Sequence, residues 1–418
     1  MRIIDLSEGQ EKELPAAAGG LFSAPTHKSN TDMAYLQGAP TGIYLDHAAT
    51  TPLSPRAREA MLPWLESQPF NPSSPNRPGR VARAALERAR SRVADCLGAA
   101  SPDEVIFTAS GTEANNLALF GLARAYLKPG DLVQVGATEH KSALLACQEL
   151  ARQGLRVQVL QPDRQGRIVP LLDEKPRLLC LMLANNEIGT VAPMAEIAAA
   201  CLENGTLLCC DAICAAGKLP VRVDQPGVST LSLAAHKFYG PTGVGMLFVR
   251  QGLTLEPLLH GGTQERALRP GTQHLPGIVA ASEALDEATG RMSEESARLT
   301  ALADDLWQSL REQAPELVRN GDPLQRLPGL LHLSFPGIHS EALLLELDLA
   351  GLYASSGSAC SAGESGPSHV VRALGLPPEL RRGSLRLSFG RCNQPGDLPR
   401  IGAIVLGAYR RLAKLSSG

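Results

Sequence analysis

Lys237 follows a run of small apolar residues, Val228 to Ala235, that predicts a buried strand, and it precedes the punctuated loop Gly240-Pro241-Thr242-Gly243. A lysine at the mouth of a desolvated strand end gives up its charged form more readily than one on the surface. Only the neutral amine attacks an aldehyde, so such a lysine suits Schiff-base chemistry. Taken alone, the window fits equally well a lysine that snorkels beside a buried strand. Asp211 closes a second apolar run, Thr206 to Cys210. At the C-terminal end of a parallel strand, a carboxylate stands where open α/β sheets bind ligands. Facing a pyridinium nitrogen it would keep that nitrogen protonated and strengthen the ring as an electron sink. It would serve equally as the N-cap of a following helix. A third stretch, Thr108-Ala109-Ser110-Gly111-Thr112-Glu113-Ala114-Asn115-Asn116, lies between a predicted strand and a predicted helix. Its small residues let backbone N–H groups approach a phosphate at the positive end of the helix, and Thr112 adds a hydroxyl. Many strand–helix turns carry Gly and Ser, so this stretch alone is a weak sign.

These residues need a scaffold, and strand and helix signals alternate from about residue 55 to 290. Ser54-Pro55 offers an N-cap and first-turn proline for a helix to about Ser67. Val81, Ala85, Ala89, Val93 and Leu97 mark one face of a second helix, ended by Gly98. Strands are expected at 105–108, 132–135, 157–160, 178–184, 206–210, 231–235 and 244–249, with helices at 113–127 and through Leu144, Leu145 and Leu150. Several of these strands are apolar without alternation, as in strands covered on both faces. Such a pattern predicts a mostly parallel sheet sandwiched by helices. After a long helical stretch at about 276–313 the rhythm changes. Strands at 330–335 and 385–389 and helices at about 340–349, 367–374 and 396–414 predict a smaller α+β domain. The expected division is a large domain over 54–290, a small domain from 41–53 plus 291–418, and a flexible extension over 1–40.

The 418 residues suffice for two domains at ~150 residues each. With 44% hydrophobic and 20% charged residues, the composition is that of a globular protein. A net charge of -2 gives no reason to expect nucleic acid or an anionic membrane as partner. No apolar run reaches the ~18 residues of a transmembrane helix. The polar start of the chain, with Glu8, Glu11, Glu13 and Asp32, lacks the features of a signal or transit peptide. Nine cysteines, an odd number without repeated pair spacing, fit reduced thiols in a cytosol better than a disulfide framework. Cys209, Cys210 and Cys214 raise a metal site, but the first two are adjacent in a strand and point to opposite faces, so core thiols are expected and no metal.

Asp211 followed by His236-Lys237, with Gly111-Thr112 upstream, resembles the pyridoxal-phosphate (PLP) enzymes of fold type I, a mostly parallel α/β large domain with a smaller α+β domain. Tyr44-Leu45-Asp46-His47-Ala48-Ala49-Thr50-Thr51-Pro52, Asn71-Pro72-Ser73-Ser74, Thr138-Glu139-His140-Lys141, Asn185-Asn186-Glu187-Ile188-Gly189 and Arg269-Pro270-Gly271-Thr272 narrow it further. In order and wording they resemble the NifS/IscS-type cysteine desulfurases of the class V aminotransferase family, from about residue 43 to 410. The resemblance implies that Lys237 holds PLP through its amine and that Asp211 meets the ring nitrogen. It implies that His140 stacks on the ring and moves protons, and that Gly111, Thr112 and His236 hold the phosphate with Thr272 of a second subunit. Asn186 would lie near the ring hydroxyl and substrate, and Arg386 would clamp the substrate carboxylate with its planar fork.

The stretch Ser355-Ser356-Gly357-Ser358-Ala359-Cys360-Ser361-Ala362-Gly363, followed by Pro367-Ser368-His369-Val370, resembles the longer loop of the NifS/IscS class, not the short SufS-like one. Cys360 would be the nucleophile that takes sulfur from L-cysteine as a persulfide, leaving L-alanine, for delivery to an acceptor such as an iron–sulfur scaffold. The resemblance further implies a cytoplasmic homodimer. Two positions depart from it. The usual Asp-Ala-x-Gln reads Asp211-Ala212-Ile213-Cys214, which replaces the cofactor's glutamine partner by Cys214, and the usual Ser-Gly-His-Lys reads Ala234-Ala235-His236-Lys237. Weaker cofactor retention is the expected consequence. Selenocysteine lyase or C–S lyase activity on the same site, or a degenerate sulfur-transfer scaffold, are the rival readings.

Overall fold

In the computed structural model, which describes residues 42–66, 70–357 and 366–416, the chain begins with the two-residue strand β1 (Ile43–Tyr44). The expectation for residues 1–40 lies outside the described residues. Helix α1 (Pro55–Glu66) starts behind Ser54, whose hydroxyl accepts from the Ala57 N–H at 3.1 Å. Helix α2 (Arg77–Leu97) is capped by the Asn76 side chain and stopped by Gly98 at φ 66, a left-handed conformation that glycine adopts without a Cβ penalty. Its buried face carries Ala85, Ala89, Val93 and Leu97, but Val81, expected on that face, is 53% exposed, because the face continues through Ala82 and Gly79 instead.

The alternation that follows is β2 (Val105–Thr108), α3 (Gly111–Tyr126), β3 (Leu132–Gly136), α4 (Lys141–Arg152), β4 (Arg156–Leu160) and β5 (Leu178–Met182). It continues through α5 (Met194–Asn204), β6 (Leu207–Asp211), β7 (Thr230–Ala234) and β8 (Gly245–Val249). These strands form a seven-stranded sheet in the order β2-β8-β7-β6-β5-β3-β4. Strands β3 to β7 run parallel to one another, and β8 runs against both β2 and β7. Fully apolar strands need cover on both faces, and they have it. Cys210 packs in the core shared with α2, α5 and α6 (Leu275–Gly290), while its neighbour Cys209 packs on the opposite face with α3 and α4. Cys214 packs with Ala48, Leu327 and Leu330, so all three thiols are core residues.

The long helical stretch is two helices, α6 and α7 (Met292–Gln313), divided at Gly290–Arg291, where glycine is a poor helix residue. Beyond it lie β9 (Val318–Asn320), β10 (Leu330–Ser334), α8 (Ser340–Leu349), β11 (Leu352–Tyr353), α9 (His369–Ala373), α10 (Pro378–Arg382), β12 (Ser384–Ser388) and α11 (Leu398–Ser416). β9, β10 and β12 make an antiparallel sheet, and β1 pairs with β11 in parallel. A separate apolar core joins this sheet to α7, α8 and α11 through Leu306, Leu331, Leu387 and Val405. Among the described residues no helix is long and apolar enough to cross a membrane.

Between β8 and α6 the backbone takes a costly path. Glu265, Arg266 and Ala267 have φ of 44, 57 and 61, a left-handed run that costs non-glycine residues about 1–2 kcal/mol each. Glu265 holds it. Its carboxylate receives Arg90 Nη1 at 2.7 Å, Arg90 Nη2 at 2.9 Å and the Phe107 N–H at 2.9 Å, with both side chains buried. Arg90→Ala leaves that carboxylate buried without its fork and is expected to cost about 3–5 kcal/mol in urea unfolding. Arg90→Lys recovers only part of the loss, because an ammonium cannot repeat the two parallel bonds.

Candidate active site

Asp211 and Lys237 reach the same place because β6 and β7 are adjacent and parallel, with Asp211 opposite Ser232. Both side chains therefore leave the C-terminal edge of the sheet, where such sheets bind ligands. The turn after β2 brings the N-terminus of α3 to that edge, and the loop after β3 brings His140. Arg386 comes from β12 of the other sheet.

A cavity of about 170 Å³ opens between them. Gly111, Thr112, His140, Asn186, Asp211, Cys214, His236, Lys237 and Arg386 all line it. Thr272 does not; it is exposed on the loop that follows the strained run. Cys360 lies outside the described residues.

Lys237 does not snorkel to the surface. Its Nζ donates to the carbonyl oxygens of Ala48 at 2.6 Å and Ala49 at 2.8 Å, on the cavity wall. Lys218 stands behind it and donates to the Lys237 carbonyl at 2.9 Å, and burial pushes the Lys218 amine down to about 8. Asp211 caps a turn, not a helix, because no helix follows it before β7. One oxygen accepts from the Ile213 N–H at 2.9 Å, as a turn cap does, and the other accepts from Asn115 Nδ2 at 2.8 Å.

At the head of α3, Ser110 caps the helix by accepting from the Glu113 N–H, and Gly111 and Thr112 form its first turn. A Cβ on Gly111 would come within 2.4 Å of Ile213 Cδ1, so a larger residue there would have to displace the tip of Ile213. His236 sits at this end of the cavity with Nδ1 3.2 Å from Thr50 Oγ1. Burial and the nearby Lys237 and Lys218 push it down to about 4, so it is neutral at physiological pH. His140 is also held below the usual histidine range, chiefly by burial.

Arg386 is not a surface arginine. At 1% exposure it pairs with Asp46 Oδ1 at 2.6 Å and donates to the Asn186 carbonyl at 2.8 Å, which leaves Nε without a hydrogen bond. Asp46 belongs to a motif that the sequence makes conspicuous, yet its partnership with a residue 340 positions away has no local sign. Asn115, Ser142 and Lys218 likewise carry no local sign in the sequence of their place at the site.

The donor set has a direction. One end offers helix N–H groups and a hydroxyl for an anion, the other a buried carboxylate for a cationic ring nitrogen, and an amine stands between them. This is the arrangement PLP requires. Residues 43–401 match the Aminotransferase class-V family, and the chain belongs to it. The chain is 41% identical over 361 residues to a cysteine desulfurase IscS of Dictyoglomus turgidum, which spans 85% of this chain and 91% of the relative. It is 39% identical over 379 residues to a cysteine desulfurase IscS of Methanosarcina thermophila, spanning 90% and 93%. The solved structure of a NifS-like protein aligns at a TM-score of 0.81 and 31% identity, covering 89% of this chain and 100% of that one. The fold is PLP-dependent fold type I, and PLP is the cofactor.

Proposed function

We propose that this protein is a PLP-dependent cysteine desulfurase that converts L-cysteine to L-alanine and passes the sulfur, as a persulfide on Cys360, to an acceptor. The observation that carries the reading is the single cavity that gathers Lys237, Asp211, His140, the α3 N-terminus and a buried Arg386. PLP supplies the electron sink that makes the substrate's bonds labile. Asp211 would meet the ring nitrogen, Gly111, Thr112 and His236 would hold the phosphate, Asn186 would serve the ring hydroxyl, and Cys214 would stand in place of the ring's amide partner. Arg386, already oriented by Asp46, receives the substrate carboxylate. Lys237 would hold the cofactor through its amine, and it moves the substrate's α-proton. The Cys360 thiolate attacks the substrate sulfur; an S–S bond forms as the carbon–sulfur bond breaks, and the carbon takes the electron pair and then a proton.

The protein acts as a homodimer in which Thr272 reaches the phosphate of the other subunit, which its exposure outside its own cavity supports. The chain divides into two domains, 54–290 and 41–53 plus 291–418, and the separate apolar core of α7, α8, α11 and their sheet supports this division. The unpaired described cysteines support a cytoplasmic setting, and the acceptor is a protein such as an iron–sulfur scaffold.

Cys360→Ala tests the persulfide step. The variant is expected to keep the cofactor's visible absorption and lose alanine formation from L-cysteine. Undiminished turnover would remove Cys360 from the reaction. Ala234→Ser restores a hydroxyl beside Gly111 at the phosphate end. A hydrogen bond to a charged group should tighten PLP about tenfold, read by equilibrium titration of the apoprotein.

A further inference from the structure

Nδ1 of His140 is held by a chain of hydrogen bonds that starts at Asp211. Asn115 Nδ2 donates to Asp211 Oδ2 at 2.8 Å and to Ser142 Oγ at 2.9 Å, so both amide hydrogens are used. Ser142 Oγ, with one lone pair taken, stands 2.8 Å from His140 Nδ1. The Ser142 backbone N–H points at the same nitrogen from 3.1 Å. A backbone N–H cannot reverse its role, so Nδ1 must be the acceptor, and the hydroxyl hydrogen turns to it as well. The ring hydrogen then belongs to Nε2, on the far side of the ring. Asp211, Asn115 and Ser142 are all buried, at 7%, 5% and 8% exposure, so water does not compete for these bonds.

We infer that Asn115 and Ser142 are positioning residues that fix His140 as the Nε2–H tautomer and tie it to Asp211, so that His140 gives the cavity a hydrogen-bond donor and not a proton acceptor. This rests on the reading of the cavity as the PLP site. It narrows the role of His140 to donation and leaves proton abstraction to Lys237. Taking up a proton at Nδ1 would set that proton against the Ser142 N–H and force the hydroxyl to turn. The charged and titratable groups around the ring are Asp211 after β6, Lys237 after β7, His369 of α9 and Glu187 after β5. Asp211 and Glu187 favour a charged ring, Lys237 and His369 oppose it, and burial opposes it most.

Nitrogen NMR of the holoenzyme with labelled histidine, without substrate, reads the tautomer directly; His140→Gln identifies the signal. The expected result at neutral pH is a neutral ring with its hydrogen on Nε2, and a midpoint below the usual histidine range. Asn115→Leu removes the donor that keeps the hydroxyl facing Nδ1, so the hydroxyl turns to accept from a protonated ring. The His140 midpoint should rise by about one pH unit. Adding Ser142→Ala to Asn115→Leu removes the hydroxyl and should abolish that rise, which a merely structural role for Asn115 would not do. A wild-type ring carrying its hydrogen on Nδ1, or a midpoint unmoved by Asn115→Leu, overturns the inference. Because no turnover is measured, either result stands apart from a failure of the desulfurase reading.

Discussion

Lys237→Ala is expected to yield folded protein that has lost cysteine turnover by roughly 10³-fold or more, the scale of a missing proton-transfer group. The side chain leaves the apolar core before its amine is used: Nζ is held by the carbonyls of Ala48 and Ala49 at the cavity wall. Truncation frees two acceptors that border the cavity, where water can reach them, so the fold should survive. The cofactor should then be removable by dialysis, and borohydride should fix it to the wild-type chain but not to the variant. Lys237→Arg is no substitute, since a guanidinium stays protonated and cannot supply the neutral amine. Turnover near the wild-type rate in Lys237→Ala would move the chemistry elsewhere, and the neighbouring amine of Lys218 would be the first candidate.

The second large effect belongs to Arg386. Its guanidinium is 1% exposed and already committed to Asp46 and the Asn186 carbonyl, so it meets a carboxylate without first being ordered or desolvated. A charge-assisted pair lost from such a place is worth about 3 kcal/mol, roughly 100-fold in kcat/KM. Arg386→Ala should show that loss mainly as a raised KM, because the carboxylate is bound in both ground and transition states. It also leaves Asp46 without its partner, so some loss of stability is expected and must be measured alongside. Arg386→Lys keeps the charge and loses the fork, and should fall between the two. Asp46→Asn should raise KM by a smaller factor, because the arginine keeps its bond to the Asn186 carbonyl but loses its anchor. An unchanged KM in Arg386→Ala would show that the substrate carboxylate is bound by another group.

Much of this architecture is legible in the chain. Apolar runs ended by Asp211 and by Ala234-Ala235-His236-Lys237 state both the strands and the side chains that leave them, and Gly98 marks the end of a helix by itself. Strands of two residues such as β1 and β11 carry no period to read, and β9 is little longer; their pairing decides them. Helix α5 lies in an alanine-rich stretch with a weak contrast between its faces. In the cavity, residues with distinctive chemistry could be named in advance, whereas their supports could not. Ser142 is an ordinary first-turn serine until the fold sets Asn115 against it, and Asp46 gains its partner only when β1 is laid beside β11 and β12 is placed alongside. Cys360 is the reverse case, conspicuous in its Gly/Ser-rich stretch and outside the described residues.

The reaction turns on one product. With PLP bound and a thiol reductant present, the protein given L-cysteine should release L-alanine and sulfide in equal amounts, followed by amino-acid analysis and sulfide assay. Pyruvate and ammonia in place of alanine, or no consumption of cysteine by protein that carries the cofactor, would contradict it.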